Sequence, residues 1–230
     1  MKKLLLMTLV LLVSGAMLAQ GSKETRVTKS VLAFHAGPSF PMGDFKDNNI
    51  DNEEAGFAKT GFTAGINYGY QFHKNAGIAA GVFFNKYKAS NVTIEIIDGG
   101  EIPELVDLEL DNWQFYGITA GPMLTFDLAK NIAADLRVMG GIANAKTPTI
   151  VYEHTVAAEK DWSVAPVIQG GLNLRIGTGS NLFIFTGLDY LYMKPKFTVN
   201  YLEGYEDEAP DRIKQKISVL NLTGGIGIKF

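Results

Sequence analysis

From residue 61 to residue 73 the chain alternates without a break. Phe62, Ala64, Ile66, Tyr68, Tyr70 and Phe72 share one parity, while Gly61, Thr63, Gly65, Asn67, Gly69, Gln71 and His73 share the other. A strand sends successive side chains to opposite faces, so this pattern makes one apolar face and one polar or small face; a helix would scatter the apolar set around its circumference. The last residues repeat the design, with Leu220, Leu222, Ile226, Ile228 and Phe230 alternating with Asn221, Thr223, Gly225, Gly227 and Lys229. Eight such segments can be drawn, at about 31–40, 60–73, 76–90, 109–126, 131–146, 161–177, 181–199 and 214–230.

The connections between segments alternate in kind. Short turns fall at His73-Lys74-Asn75, Asp127-Leu128-Ala129-Lys130 and Gly177-Thr178-Gly179-Ser180, and long polar stretches at about 41–59, 91–108, 147–160 and 200–213. Tight turns on one side and long loops on the other are the layout of outer-membrane barrels. Three short turns and four long loops require an even strand count and put both termini on the short-turn side. The expected fold is therefore all-β, an eight-stranded antiparallel up-and-down transmembrane β-barrel.

A water-soluble, lipocalin-like ligand-binding barrel would alternate in the opposite sense, with the apolar face inside. The charges choose between the two. In the last four segments one face carries Asp135, Arg137, Gln169, Asn173, Arg175, Asp189, Asn221, Thr223 and Lys229. That face is too sparsely charged for the exterior of a soluble protein, which normally bristles with Lys and Glu. It suits a lumen in which Asp135, Arg137, Arg175 and Asp189 form ion pairs, since an isolated buried ion is costly.

The N-terminus supports export. Met1-Lys2-Lys3 precedes an apolar run from Leu4 to Val13 and a small-residue exit at Ser14–Gly21, the parts of a cleaved signal peptide over about residues 1–20. Ten apolar residues are too few for a spanning helix, which needs about 20. Beyond the leader there is no comparable run, so membrane residence requires a closed barrel, here residues 21–230. The absence of Cys removes disulfides, thiolate metal sites and thiol nucleophiles.

Net charge conceals a strong asymmetry. The windows 41–58, 89–112, 146–161 and 200–212 hold 20 of the 24 acidic residues but only 4 of the 21 basic ones. The external loops thus form an acidic cap that keeps them solvated and can meet a basic partner. Asp47-Asn48-Asn49-Ile50-Asp51-Asn52 begins like a calcium loop, but its sixth position lacks Gly and its twelfth, Ala58, lacks a carboxylate. Lysines gather where strands meet loops: Lys86 and Lys88, Lys194 and Lys196, Lys214 and Lys216. All six have lipid-facing parity, which puts them at the outer rim, at the height of lipopolysaccharide phosphates. Lys194, Lys196, Lys214 and Lys216 should form one patch, and Lys86 and Lys88 a smaller one.

Catalytic chemistry finds little support. His35 lies on an inward position, His73 in a short turn and His154 in an external loop, too scattered for a metal site. A lipid-modifying outer-membrane enzyme would need Ser, His and an acid converging at the rim, and Ser163 beside His154 is the nearest approach. No catalytic residue, metal or cofactor is expected, and no nucleic-acid partner. Eight strands leave an interior that side chains fill, which argues against an open pore.

Gly37-Pro38-Ser39-Phe40-Pro41-Met42-Gly43-Asp44-Phe45, closing the first segment, resembles the Gly…Phe-Pro-x-Gly-Asp-Phe stretch of the PorT-like outer membrane β-barrel family. The terminal Gly-Ile-Gly-Ile-Lys-Phe is similar to the signal by which barrels are recognised for insertion, with Phe230 as its end. The resemblance covers nearly all of the mature chain. It implies a compact barrel in the outer membrane with a structural, secretory or interaction role in the envelope. Its partners would be outer-membrane lipids including lipopolysaccharide, the insertion machinery, and an envelope or extracellular protein. In architecture the chain also resembles the OmpA/OmpX barrel, without the peptidoglycan-binding domain that follows it in OmpA, so wall anchoring is not expected.

Overall fold

The alternating segments form a closed sheet. The computed structural model describes residues 29–52, 54–96, 104–152, 155–158, 161–178, 181–199 and 211–230. The expected leader at 1–20 and His154 lie outside them. In chain order the strands are β1 (Lys29–Met42), β2 (Gly61–Gln71), β3 (Ala76–Lys88), β4 (Val92–Ile96), β5 (Glu104–Leu110), β6 (Asn112–Ala129) and β7 (Ile132–Lys146). They continue as β8 (Ile150–Tyr152), β9 (Thr155–Ala158), β10 (Trp162–Gly177), β11 (Leu182–Met193), β12 (Lys196–Val199), β13 (Asp211–Lys214) and β14 (Ile217–Lys229).

Eight of these strands make the barrel, in the order β1-β14-β11-β10-β7-β6-β3-β2. Each pairs antiparallel with its neighbours in sequence among the barrel strands. The first and last strands close the ring, from Val31 opposite Lys229 to Met42 opposite Ser218. Two further backbone bonds of 2.9 Å, exchanged between Ser30 and Phe230, finish the seam at the short-turn end. Closure leaves the barrel without an edge, which is what lets a sheet stand in lipid.

The faces fall as the charges require. Apolar side chains stand outward, Val164 at 69% and Ile226 at 62% exposure, whereas Asp189 and Arg137 on the inward parity retain 2% and 4%. The soluble alternative needs the reverse arrangement. The outward band therefore matches a bilayer rather than water.

Three expectations about connections are corrected. Segments 181–199 and 214–230 are each broken, because Pro195 has no N–H to continue a ladder. The chain leaves the barrel there, and β12 pairs with β13 as a separate two-stranded sheet. Second, β6 runs on to Ala129, with a register shift between Asp127 and Ala129, so the short turn is at Lys130 and Asn131 rather than 127–130. Third, the stretches 91–108 and 147–160, expected as polar loops, contribute a four-stranded sheet ordered β4-β5-β8-β9. Its seam joins two different loops, with Leu108 opposite Tyr152 and Leu110 opposite Ile150.

Candidate interaction surface at the loop end

The lumen is built in layers. Toward the short-turn end, Arg175 on β10 donates from Nη2 to Asp135 Oδ1 at 2.7 Å, and its Nε sits 2.6 Å from Oδ2, off the hydrogen-bond direction. Thr125 donates a further bond of 2.7 Å to Asp135. One step up, Arg137 on β7 contacts Asp189 on β11 through Nη2 at 2.8 and 2.9 Å and Nε at 3.2 Å. The four charged residues of the lumen expectation thus stand as two acid–base pairs, each buried on both sides. Gly171 on the intervening β10 leaves the space: a Cβ there would collide with Asp189 Oδ1 and press on Arg137 Nε. Beside the pairs lies a cavity of about 20 Å³, lined among others by Asn67, Arg137, Arg175 and Phe183, room for about one water.

Above the ion pairs the lumen is neutral. Ser39, Asn85, Tyr87 and Asn221 share one buried network, in which Asn85 Nδ2 donates to Tyr87 Oη at 2.8 Å and to Asn221 Oδ1 at 3.2 Å. The serine hydroxyl contacts both Tyr87 and Asn221. Buried polar groups from three strands are thereby satisfied by one another.

At the loop end the lumen becomes apolar, and a loop folds into it. Gly43, in the left-handed region at φ 57°, opens a single 3-10 turn, Gly43–Phe45, that turns the chain inward. Phe45 is fully buried, edge-on to Tyr87 (centroids 5.3 Å apart at 82°) and to Trp113 (5.5 Å at 74°). Tyr87 stacks on Phe115 at 5.4 Å, and Phe197 from the β12–β13 hairpin meets Trp113 at 5.8 Å. Trp113 Nε1 donates to the Gly56 carbonyl at 2.8 Å, pinning the far side of the same loop. This aromatic plug closes the mouth. Its signal is present in the sequence: Tyr87, Trp113, Phe115, Leu191, Met193, Ile217 and Val219 are large apolar residues on lumen parity, where the lower strand halves carry mostly polar or small ones.

The rim lysines divide by what they touch. Lys216 bonds Glu54 and, at 3.1 Å, Asp44; Lys194 lies 3.6 Å from the other Glu54 oxygen. Both acids belong to the plug loop, so this is a clasp fastening residues 43–58 to β11 and β14. The hydrogen bond from Lys216 holds Glu54 below the usual glutamate range, and the bonds to Glu54 and Asp44 push Lys216 up to about 12. Gln215 adds a neutral bond to the Glu54 carbonyl at 2.9 Å. Lys196 and Lys214 are exposed and directly opposite each other in the hairpin. Lys86 and Lys88 are exposed on β3, separated from the other four by β2 and β1.

The described histidines have partners of their own. His35 Nδ1 is 3.1 Å from Asn67 Nδ2 in the lumen, and His73 accepts from the Asn75 backbone at 3.5 Å in a short turn. Ser163 accepts instead from the Lys196 backbone N–H at 3.1 Å. Among the described residues no cluster of His, Asp or Glu could hold a metal ion. Asp47 spends its carboxylate on Asn52 and on the Asn49 N–H, which lowers its pKa and makes this segment a turn.

With this geometry in hand, the solved structures are informative. The chain superposes on a major outer membrane protein from Thermus thermophilus with a TM-score of 0.53, at 10% identity over 89% of this chain and all (100%) of that one. It superposes on Neisserial surface protein A with a TM-score of 0.50, at 16% identity over 88% of this chain and 97% of that one. The fold is that of an outer-membrane β-barrel. No protein-family model matches the chain. No curated protein matches it either.

Proposed function

We propose that this chain is an integral protein of a bacterial outer membrane, exported with a cleaved leader, that acts in the envelope by presenting its loop end. The observation carrying this reading is the inverted pattern of a closed barrel: apolar residues stand outward around the ring, and paired charges fill the centre. Such an object is insoluble in water and stable in lipid. Among the described residues the aromatic plug, the neutral network and the two ion pairs fill the lumen with side chains, which argues against transport through it. What remains for function is the external surface: the four-stranded loop sheet, the β12–β13 hairpin and the acidic residues around them.

On this reading its partners are outer-membrane lipids, including lipopolysaccharide met by the exposed rim lysines Lys86, Lys88, Lys196 and Lys214, and an envelope or extracellular protein met by the loops. Phe230, outward and 65% exposed at the short-turn end, serves as the end of the insertion signal. Membership of the PorT-like group belongs to the same proposal. It draws support from what its motif does here: Gly43, Asp44 and Phe45 make the plug and its clasp.

Cell fractionation with gel mobility tests the reading. The protein should sediment with outer membranes, resist carbonate extraction, and run faster unboiled than boiled, as a folded barrel does. Recovery in the soluble periplasmic fraction would contradict it.

A further inference from the structure

We infer that Lys196 and Lys214 form a binding site for a lipid-borne phosphomonoester at the outer rim, a refinement that rests on the membrane reading above. The two lysines are opposed in register on the two-stranded sheet of β12 and β13. Like charges directly opposite one another destabilise a pair of strands, and an anion held between the two ammonium groups would relieve that cost.

The protein itself displays the solution one step lower. Lys194 and Lys216 flank the last paired residues of β11 and β14, Met193 and Ile217. They are drawn together by one anion, the Glu54 carboxylate, with one oxygen toward each ammonium. Lys196 and Lys214 repeat that arrangement farther out, yet among the described residues neither meets a carboxylate. The upper pair is the same device with its anion supplied from outside.

Charge and height identify that anion. Two ammonium groups match a phosphomonoester, which carries nearly two negative charges at neutral pH. Tyr190 and Tyr192 stand outward on β11 immediately below the lysines, and interfacial aromatics mark headgroup level. Both lysines are exposed, and the buried Phe197, next to Lys196 in sequence, fixes β12 so that they face away from the plug. A lipid phosphate reaches that spot by lateral diffusion.

The test reconstitutes the full chain in phosphatidylcholine vesicles with spin-labelled phosphatidic acid or spin-labelled phosphatidylcholine, and reads the motionally restricted fraction. Wild type should restrict phosphatidic acid in preference to phosphatidylcholine. Lys196→Gln/Lys214→Gln should weaken that preference at the site roughly 30-fold, two lysines at their usual contribution near an anionic surface. Lys194→Gln/Lys216→Gln should retain it, since those lysines are occupied by Glu54. Soluble inorganic phosphate should not displace the lipid; if it does, the site takes phosphate from solution and the lipid-borne assignment falls. No difference between wild type and Lys196→Gln/Lys214→Gln would overturn the site, including the case in which a carboxylate from 200–210 already fills it. No restricted component for any lipid would instead count against the membrane reading, a separate failure.

Discussion

Arg137 on β7 reaches past β10 to hold Asp189 on β11, with Nη2 at 2.8 and 2.9 Å from the two carboxylate oxygens. The pair staples strands that share no backbone hydrogen bonds, in a space that Gly171 on β10 keeps open. Breaking a buried pair leaves an uncompensated charge, whereas replacing both members leaves none. Asp189→Asn or Arg137→Met should cost about 3–5 kcal/mol, and Arg137→Met/Asp189→Leu considerably less than the sum. Urea titration of the reconstituted barrel, read by gel mobility, measures this. Single variants costing under about 1 kcal/mol would mean the lumen is wet enough to solvate the lone ion.

Gly171→Val offers an independent approach to the same pair. The new side chain would occupy the place of Asp189 Oδ1, so the carboxylate must leave Arg137. Destabilisation should resemble that of Asp189→Ala, which also empties that place, and combining the two should add little. Full additivity would show that Gly171 matters for the backbone of β10 and not for the pair.

The four charges of the lumen were legible from parity alone, because in a membrane barrel an inward acid has few ways to be satisfied except by an inward base. The eight barrel strands were equally legible, from alternation and loop length. What escaped was everything that breaks alternation. Val92, Ile94 and Ile96 alternate as well as any barrel strand, but they lie inside a stretch so acidic that composition outweighed pattern. The bend at Pro195 was readable from the missing N–H, yet apolar residues on both sides disguised it. Phe45 escaped because a lone aromatic in a polar loop has no period, and its burial depends on aromatics on β3 and β6 far away in the chain.

The plug makes a prediction about permeation. Phe45→Ala removes a fully buried ring and should cost about 3–5 kcal/mol, loosening residues 43–58. It should still not open a pore, since the Ser39–Asn85–Asn221 network and the two ion pairs lie beneath it. Planar bilayer recordings of wild type and variant should both be silent. Stable conductance steps from wild type would mean that a water path threads those layers.

The clasp predicts how the plug responds to pH. Glu54 titrates lower folded than unfolded, so its contribution is present above the ordinary glutamate range and is lost as pH falls through its depressed value. Lys216 is raised from 10.5 to about 12, so its contribution is present below 10.5 and is lost as pH rises through about 12. Between these limits the loop should stay fastened. In a Trp162→Phe background the fluorescence of Trp113, bonded to Gly56 in the loop, should stay constant through that window and change at both ends. Lys216→Gln should shift the acid change toward the ordinary glutamate range; an unaltered profile would show that Gln215 and Phe45 hold the loop without the clasp.

The most direct measurement of the whole account is topology on living cells. The chain has no cysteine, so single substitutions report cleanly. Asp51→Cys, exposed in the plug loop, should react with a membrane-impermeant maleimide on intact cells. Lys130→Cys, exposed in a short turn at the opposite end, should react only after the outer membrane is opened. Labelling of Lys130→Cys on intact cells with Asp51→Cys protected would invert the barrel and contradict the account; labelling of neither until the membrane is opened would remove the loop end from the cell surface.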